Sequence, residues 1–320
     1  MSPLQPILID EFKRAGIDVM IKRDDLLHPI ISGNKWRKLK YNLHEAKNQG
    51  IKKVISFGGA YSNHIHALAY ACKLQQLDCL GIIRGEPEYQ NNFTLSWARH
   101  WGMNLQFVDR QTYRLRHQQA FLQQLASQHE RSMIIPEGGS NHLALAGVAE
   151  IIDELELQTK YDYLVTPVGS GGTLAGLIQA DKSRHQLLGI SVLKQDGYLE
   201  QEVANLLPQS AQAYPNWRII NDHHCGGYGK FKAEHVAQIA DLIQRTNIPF
   251  EPVYSGKMML ALMAMAKSGY FAPGSRVVLL HTGGLQGLGG LAQRQRINPS
   301  DFIMPISAPD SAPDSAQSTK

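Results

Sequence analysis

The chain has 320 residues, 43% hydrophobic and 19% charged, the composition of an ordinary soluble globular protein with room for two α/β units. Its 32 basic against 28 acidic residues leave a formal net charge of +4, too small and too scattered to select nucleic acid or a membrane surface. Three cysteines without a CxxC pair, an N-terminus unlike a signal peptide and no apolar run of spanning length point to reduced thiols and a cytoplasmic location.

Residues 7–10 and 18–23 read as short extended segments around a short helix at 11–15. In Ser32-Gly33-Asn34-Lys35-Trp36-Arg37-Lys38-Leu39 a glycine turn leads into helical spacing, with Trp36, Leu39, Leu43 and Ala46 on one face. Lys35 therefore falls in the first turn of a helix. The positive end of the helix dipole, with Arg37 and Lys38 alongside, disfavours its charged form, as a nucleophilic or Schiff-base lysine requires. A solvated basic helix face is the commoner meaning of any one such lysine.

Strands at 53–57, 79–84, 105–108 and 132–136 alternate with helices at 63–77, 92–101 and 116–129, which predicts a parallel sheet with right-handed crossovers. Turn residues at 137–141 break the pattern before a long helix at 142–157, and a domain junction is expected there. The second run has strands at 161–168, 188–193, 217–221 and 276–281, with helices from 174, at 197–206, at 233–244 and at 257–267. The tail repeats Ser-Ala-Pro-Asp at 307–310 and 311–314, a composition expected to be disordered.

Three strands end in glycine pairs, and open α/β sheets gather ligands at the carboxyl ends of their strands. Gly169-Ser170-Gly171-Gly172-Thr173 offers unobstructed N–H groups, two hydroxyls and a helix start, which suit a phosphate. The glycine spacing is not that of a dinucleotide fold. Nor is Ser255-Gly256-Lys257 a Walker loop, because Met258 follows it and Glu251 stands where the first glycine should be. One phosphate on a small cofactor is favoured, against a turn that serves only topology. Gly58-Gly59-Ala60-Tyr61-Ser62-Asn63-His64 brings a hydroxyl, an amide and an imidazole to another strand-to-helix turn, where Ser62 or Asn63 also suits a helix cap. No G-x-S-x-G hydrolase motif and no metal-ligand histidine spacing is present, so no catalytic metal is expected.

Taken together, Ser-Gly-Asn-Lys-x-Arg-Lys-Leu, Gly-Gly-Ala-x-Ser-Asn-His, Gly-Ser-Gly-Gly-Thr, Glu251-Pro252-Val253-Tyr254-Ser255-Gly256-Lys257 and His281-Thr282-Gly283-Gly284 resemble one family. It is the pyridoxal-phosphate group that contains 1-aminocyclopropane-1-carboxylate deaminases and D-cysteine desulfhydrases. The resemblance implies the fold type II, tryptophan-synthase-β-like architecture: an α/β, two-domain protein with open, mostly parallel sheets and helices on both faces. Residues 1–39 and 140–304 would form the large cofactor-binding domain, 40–139 the small inserted one, and 305–320 a disordered tail. A homodimer is also implied.

By the same resemblance Lys35 would hold pyridoxal 5'-phosphate covalently and later move the α-proton of a small amino-acid substrate. Asn63 would bond the ring hydroxyl. Lys38 with Gly169, Ser170, Gly171, Gly172 and Thr173 would bind the phosphate. Ser62 would lie near the substrate carboxylate, and Tyr228 and Tyr254 would face substrate and cofactor. At the ring side, deaminases carry glutamate and leucine where this chain has Ser255 and Thr282, and glutamine where it has His64; the desulfhydrase side has small hydroxyl residues and histidine. A hydroxyl there does not force protonation of the ring, which suffices when a good leaving group departs from Cβ. β-Elimination from D-cysteine or an analogue is therefore expected, giving pyruvate, hydrogen sulfide and ammonia. The alternatives are ring-opening deamination to 2-ketobutyrate and, from another class, a cofactor-binding protein without turnover. Arg84, Glu86 and Gln286 match no pattern.

Overall fold

The computed structural model describes residues 1–305, so nearly all of the expected tail lies outside the described residues. In chain order the elements are β1 (Leu4–Pro6), α1 (Asp10–Ala15), β2 (Asp18–Lys22), α2 (Asn34–Asn48), β3 (Lys53–Gly59), α3 (Asn63–Gln75), β4 (Asp78–Arg84), α4 (Phe93–His100), β5 (Met103–Val108), α5 (Arg110–Arg114), α6 (Gln119–Ser127) and β6 (Ser132–Ile135). There follow α7 (His142–Gln158), β7 (Tyr163–Val168), α8 (Gly172–Asp181), β8 (Gln186–Ser191), α9 (Tyr198–Leu206), β9 (Trp217–Ile220), α10 (Ala233–Thr246), α11 (Ser255–Lys267), β10 (Arg276–Leu280) and α12 (Gly287–Gln293).

Two open sheets result. One has four strands in the order β5-β4-β3-β6, the other six in the order β1-β2-β10-β7-β8-β9. Every pairing is parallel except β1 with β2. Parallel strands buried on both faces need apolar side chains throughout, which is why β7 and β10 read as continuous hydrophobic runs. On one face of the large sheet α1, α10 and α11 bury Phe12, Ile239 and Leu262 against Ile21, Val165 and Leu279. On the other, α7, α8 and α9 bury Ile152, Ile178 and Val203 against Leu164, Leu187 and Val278. The small sheet is covered by α3 and α4 on one side and by Tyr113 and Leu125 of α5 and α6 on the other.

Three local features differ from the sequence reading. The strand predicted at 7–10 lies at Leu4–Pro6: Ile7 and Ile9 are buried and Leu8 is exposed, a strand-like alternation, but the ladder to β2 ends at Pro6. The helix predicted at 116–129 is broken by a 3-10 turn at Leu115–His117. Asp109 starts α5 ahead of that turn by accepting the Thr112 N–H at 2.7 Å. The glycine-rich α12 gave no helical signal, and its Gly289 is held by tertiary contact, since an ideal Cβ there would lie 2.5 Å from the Phe93 ring. Helix α2 runs unbroken from Asn34 to Asn48 and joins the small sheet to α7.

The α2–α7 contact positions the site. Gly147 of α7 lets the helices touch, since an ideal Cβ on it would be 2.0 Å from the Arg37 carbonyl oxygen. Below that contact Arg37 donates to both oxygens of Asp24 at 3.0 and 2.9 Å and to Glu154 at 2.7 and 3.0 Å. Lys22 pairs with Glu154 at 2.6 Å, and Ser2 donates to Asp24 at 2.6 Å. Buried ion pairs of this kind add little net stability but tolerate no missing partner. They fix the start of α2, and with it Lys35.

Candidate active site

The first turns of α2, α3 and α8 and the turn after β10 converge at the carboxyl ends of the two sheets. Gly33 has φ +69° and lies against the Thr282 carbonyl, which accepts the Asn34 N–H at 3.2 Å. Asn34 reaches α8, donating from Nδ2 to Thr173 Oγ1 at 2.8 Å. Its Oδ1 accepts from Lys35 Nζ at 3.1 Å. Lys35 makes no ion pair among the described residues, and burial pushes its amine down to about 8. The sequence argument had the direction right and the cause wrong, because Arg37 turns away into Asp24 and Glu154 and does not load the amine.

One turn on, Lys38 is 1% exposed and has no carboxylate partner among the described residues. Its Nζ donates to the Gly138 carbonyl at 3.2 Å and to Ser140 Oγ at 3.0 Å, and Ser140 Oγ lies 2.9 Å from Ser170 Oγ. Burial, with the charge of Lys35 nearby, holds its pKa well below the ordinary range. Gly172 faces the same group: an ideal Cβ there would sit 2.4 Å from Ser140 Oγ and 2.9 Å from Lys38 Nζ. Gly171, at φ +75°, begins α8 with no side-chain cap; the Gly172 N–H donates to the Ser170 carbonyl at 2.9 Å, and the Thr173 and Leu174 N–H groups have no partner among the described residues. A buried lysine without a carboxylate partner, two hydroxyls and a helix start fit a phosphate dianion, whose charge would favour the protonated amine.

The other turns bring further polar side chains toward Lys35. Asn63 packs beneath Gly284, where an ideal Cβ would be 2.8 Å from its Nδ2. Ser62, its neighbour, caps α3 by accepting the Ile65 N–H at 3.3 Å, which leaves its own proton free. Tyr254 lies against Gly169, with Cε1 3.0 Å from an ideal Cβ there, and donates to the Tyr228 hydroxyl at 3.3 Å. Burial raises the Tyr254 phenol well above its ordinary value, and partial burial raises that of Tyr228, which is 48% exposed, so both carry their protons at neutral pH.

Ser255 and Thr282 differ. Thr282 is 7% exposed, and its hydroxyl makes no hydrogen bond among the described residues. Ser255 is fully buried and turned to Glu251: its hydroxyl donates to Oε1 at 3.2 Å and accepts the Glu251 N–H at 3.0 Å. Glu251, Ser140 and Lys257 were assigned no role from sequence. Glu251 accepts the N–H groups of Val253, Tyr254 and Ser255 at 2.7, 2.8 and 2.7 Å. Burial outweighs those bonds and lifts its carboxyl to about 7. Its place in Glu-Pro-Val-Tyr-Ser, just ahead of a helix, was the available signal. Ser140 gave none beyond turn composition.

His64 is buried with its ring fixed. Ser56 Oγ donates to the Ile135 carbonyl at 2.6 Å, so the 2.8 Å contact with His64 Nε2 has the imidazole as donor. That leaves Nδ1 an unprotonated acceptor without a partner.

Comparison with known proteins agrees with this geometry. The model of the family described as pyridoxal-phosphate dependent enzyme matches residues 2–283. A putative 1-aminocyclopropane-1-carboxylate deaminase of Pyrococcus horikoshii is 31% identical over 298 residues, 86% of this chain and 87% of the relative. The bifunctional D-cysteine desulfhydrase/1-aminocyclopropane-1-carboxylate deaminase of Arabidopsis thaliana is 30% identical over 85% of this chain and 74% of its own. A D-cysteine desulfhydrase of Klebsiella pneumoniae is 28% identical over 85% and 88%. Among solved structures, one described as an ACC deaminase homologue superposes with a TM-score of 0.79 at 28% identity, covering 92% of each chain. Dictyostelium discoideum serine racemase, at 21% identity and a TM-score of 0.64, shares the fold. The family match shows that the chain belongs to the pyridoxal-phosphate dependent enzymes, in the fold type II architecture.

Proposed function

We propose that the protein is a lyase that eliminates the β-substituent of a small amino acid, in the manner of D-cysteine desulfhydrase. The observation that carries this reading is the pairing of a half-buried amine with its pKa lowered to about 8, Lys35, with the Lys38–Ser140–Ser170 phosphate cradle one helical turn away. Bound pyridoxal phosphate supplies the electron sink that makes a Cα proton acidic.

The chain supplies the rest. Lys38, Ser140, Ser170 and the start of α8 hold the phosphate. Lys35, neutral in a useful fraction near pH 8, takes the proton from Cα and returns it later. Asn63 would hold the ring hydroxyl, and the Thr282 hydroxyl, free of hydrogen bonds among the described residues, would meet the ring without imposing a charge. Tyr228 and Tyr254, both protonated, close one wall and can donate to a departing group. We assign residues 40–139 to a small domain set against the rest of the chain. Three unpaired thiols suit a reducing cytoplasm, and among the described residues no helix is long and apolar enough to cross a membrane. The homodimer is part of the same proposal and rests on family resemblance.

Ring-opening deamination is the second reading, favoured by the names of the Pyrococcus and Arabidopsis relatives. Incubation with D-cysteine, L-cysteine and 1-aminocyclopropane-1-carboxylate, assaying sulfide and pyruvate against 2-ketobutyrate, decides between them. Sulfide with pyruvate is expected. 2-Ketobutyrate alone would transfer the assignment to the deaminase, and no product from any of the three would remove both.

A further inference from the structure

Arg84 ends β4 opposite Gly59 of β3 and Val108 of β5. Because Gly59 has no side chain, the guanidinium leans across the strand, with Nη2 3.8 Å from where a Cβ of Gly59 would stand. Its Cζ lies 5.4 Å from the ring centroid of Tyr113, a residue only 2% exposed, and Arg116 stacks on the same ring at 4.6 Å. The two arginines differ in one respect. Arg116 is neutralised, donating from Nε to Glu137 at 2.7 Å. Arg84 makes no ion pair and no side-chain hydrogen bond among the described residues.

An exposed arginine is ordinarily a solvated charge. Arg84 differs in where it is held. Gly59 belongs to the same turn as Ser62 and Asn63, its carbonyl accepting the Ser62 N–H at 3.0 Å, so the guanidinium stands beside that turn. A cation fixed by an aromatic face, lacking a carboxylate and set on the rim of an amino-acid site is suited to an anion the substrate brings.

We propose that Arg84 forms an anion subsite that takes a negatively charged β-substituent, so that the preferred substrates are alanines carrying a thiosulfate, sulfonate or phosphate group at Cβ. The inference rests on the β-elimination reading. In that reaction the Cα proton leaves to a base, the Cα–Cβ double bond forms, and the Cβ–X bond breaks with its electron pair going to X. The enamine that remains takes up water and gives pyruvate and ammonium. A substituent anionic before cleavage gains a further negative charge on leaving, so the guanidinium assists both binding and bond breaking.

The test compares wild type, Arg84→Met and Arg84→Lys, loaded with cofactor, on S-sulfocysteine and on β-chloroalanine, each in both enantiomers, with pyruvate as product. In Arg84→Met, kcat/KM for S-sulfocysteine is expected to fall about ten-fold or more beyond any fall for β-chloroalanine, as loss of a charge-assisted hydrogen bond predicts, with part of the loss restored by lysine. The dissociation constant of 2-amino-3-phosphonopropionate, whose C–P bond stays intact, should rise by a similar factor relative to that of alanine. Equal losses on both substrates, or an unchanged phosphonate-to-alanine ratio, overturn the subsite. If wild type releases chloride and Arg84→Met changes neither ratio, the subsite falls while β-elimination stands. If wild type forms pyruvate from neither substrate, both fall.

Discussion

Gly33 sits so close to Thr282 that a methyl group on its Cα would come within 2.0 Å of the Thr282 carbonyl oxygen. Neither partner can yield, since the contact is backbone to backbone and the φ of +69° already disfavours any other residue. Gly33→Ala should therefore push the start of α2 away from the turn after β10 and displace Lys35 from its ligand. The expected outcome is a folded protein, with helical circular dichroism kept, that loses the aldehyde-to-lysine absorbance of the loaded enzyme. Normal absorbance and activity in Gly33→Ala would show that this contact does not position Lys35.

The phosphate cradle makes a second demand. Gly172→Ala would set a methyl 2.4 Å from Ser140 Oγ and 2.9 Å from Lys38 Nζ, filling the volume assigned to the phosphate. Cofactor affinity should drop by at least about ten-fold, and the cofactor-free protein should lose about 1–3 kcal/mol of stability, because the methyl also comes within 2.7 Å of Ser140 Cβ, next to the backbone. Titrating both forms with pyridoxal phosphate, and separately with pyridoxal, checks this. The loss should be confined to the phosphorylated form.

Much of this was legible in the sequence, and the reasons for the rest are physical. The βα alternation, the helix after Gly33-Asn34 and the glycine turns follow from local periodicity and backbone needs, and they emerge where expected. What local pattern could not show is which way a side chain turns once the elements pack. Arg37 reads as a neighbour that burdens Lys35, yet it faces Asp24 and Glu154 on the far side of α2. Ser140 reads as a turn residue, and it reaches Lys38 and Ser170 only because the chain after β6 folds over the start of α8. Ser255 reads as a ligand hydroxyl, and in the structure it is bonded to Glu251, a carboxylate with no periodic signature.

Glu154 gives a pH prediction. Burial raises its pKa, but hydrogen bonds from Arg37 and Lys22 more than offset this and hold it at about 2, against 4.5 unperturbed. A folded-state value below the unfolded one means stability that is fully present above pH 4.5 and is lost as pH falls toward 2. The shift corresponds to about 3 kcal/mol at most. Urea midpoints should fall steeply between pH 4.5 and 3 in wild type. Glu154→Gln should start lower at pH 7, leaving Arg37 and Lys22 short of a charge partner, and should show a shallower decline over the same range.

Lys257 gives the last prediction. It is 1% exposed, burial pushes it down to about 8, and its Nζ donates to the Gly227 carbonyl at 2.8 Å. The loop it grips has positive φ at Cys225, Gly226, Gly227 and Gly229, a run of conformations that needs an outside contact to persist. Tyr228 rides on that loop, and Tyr254, one turn before Lys257, meets it hydroxyl to hydroxyl. Helix α11 thus holds both tyrosines, one directly and one through Lys257. Lys257→Met should cut kcat by about ten-fold with a smaller change in KM, and should speed proteolysis within 223–230. Tyr228→Phe and the double variant complete a thermodynamic cycle. If Lys257 acts by placing Tyr228, the double variant is no slower than Tyr228→Phe alone. Losses that multiply would instead make Lys257 a separate contributor and remove its role as the anchor of Tyr228.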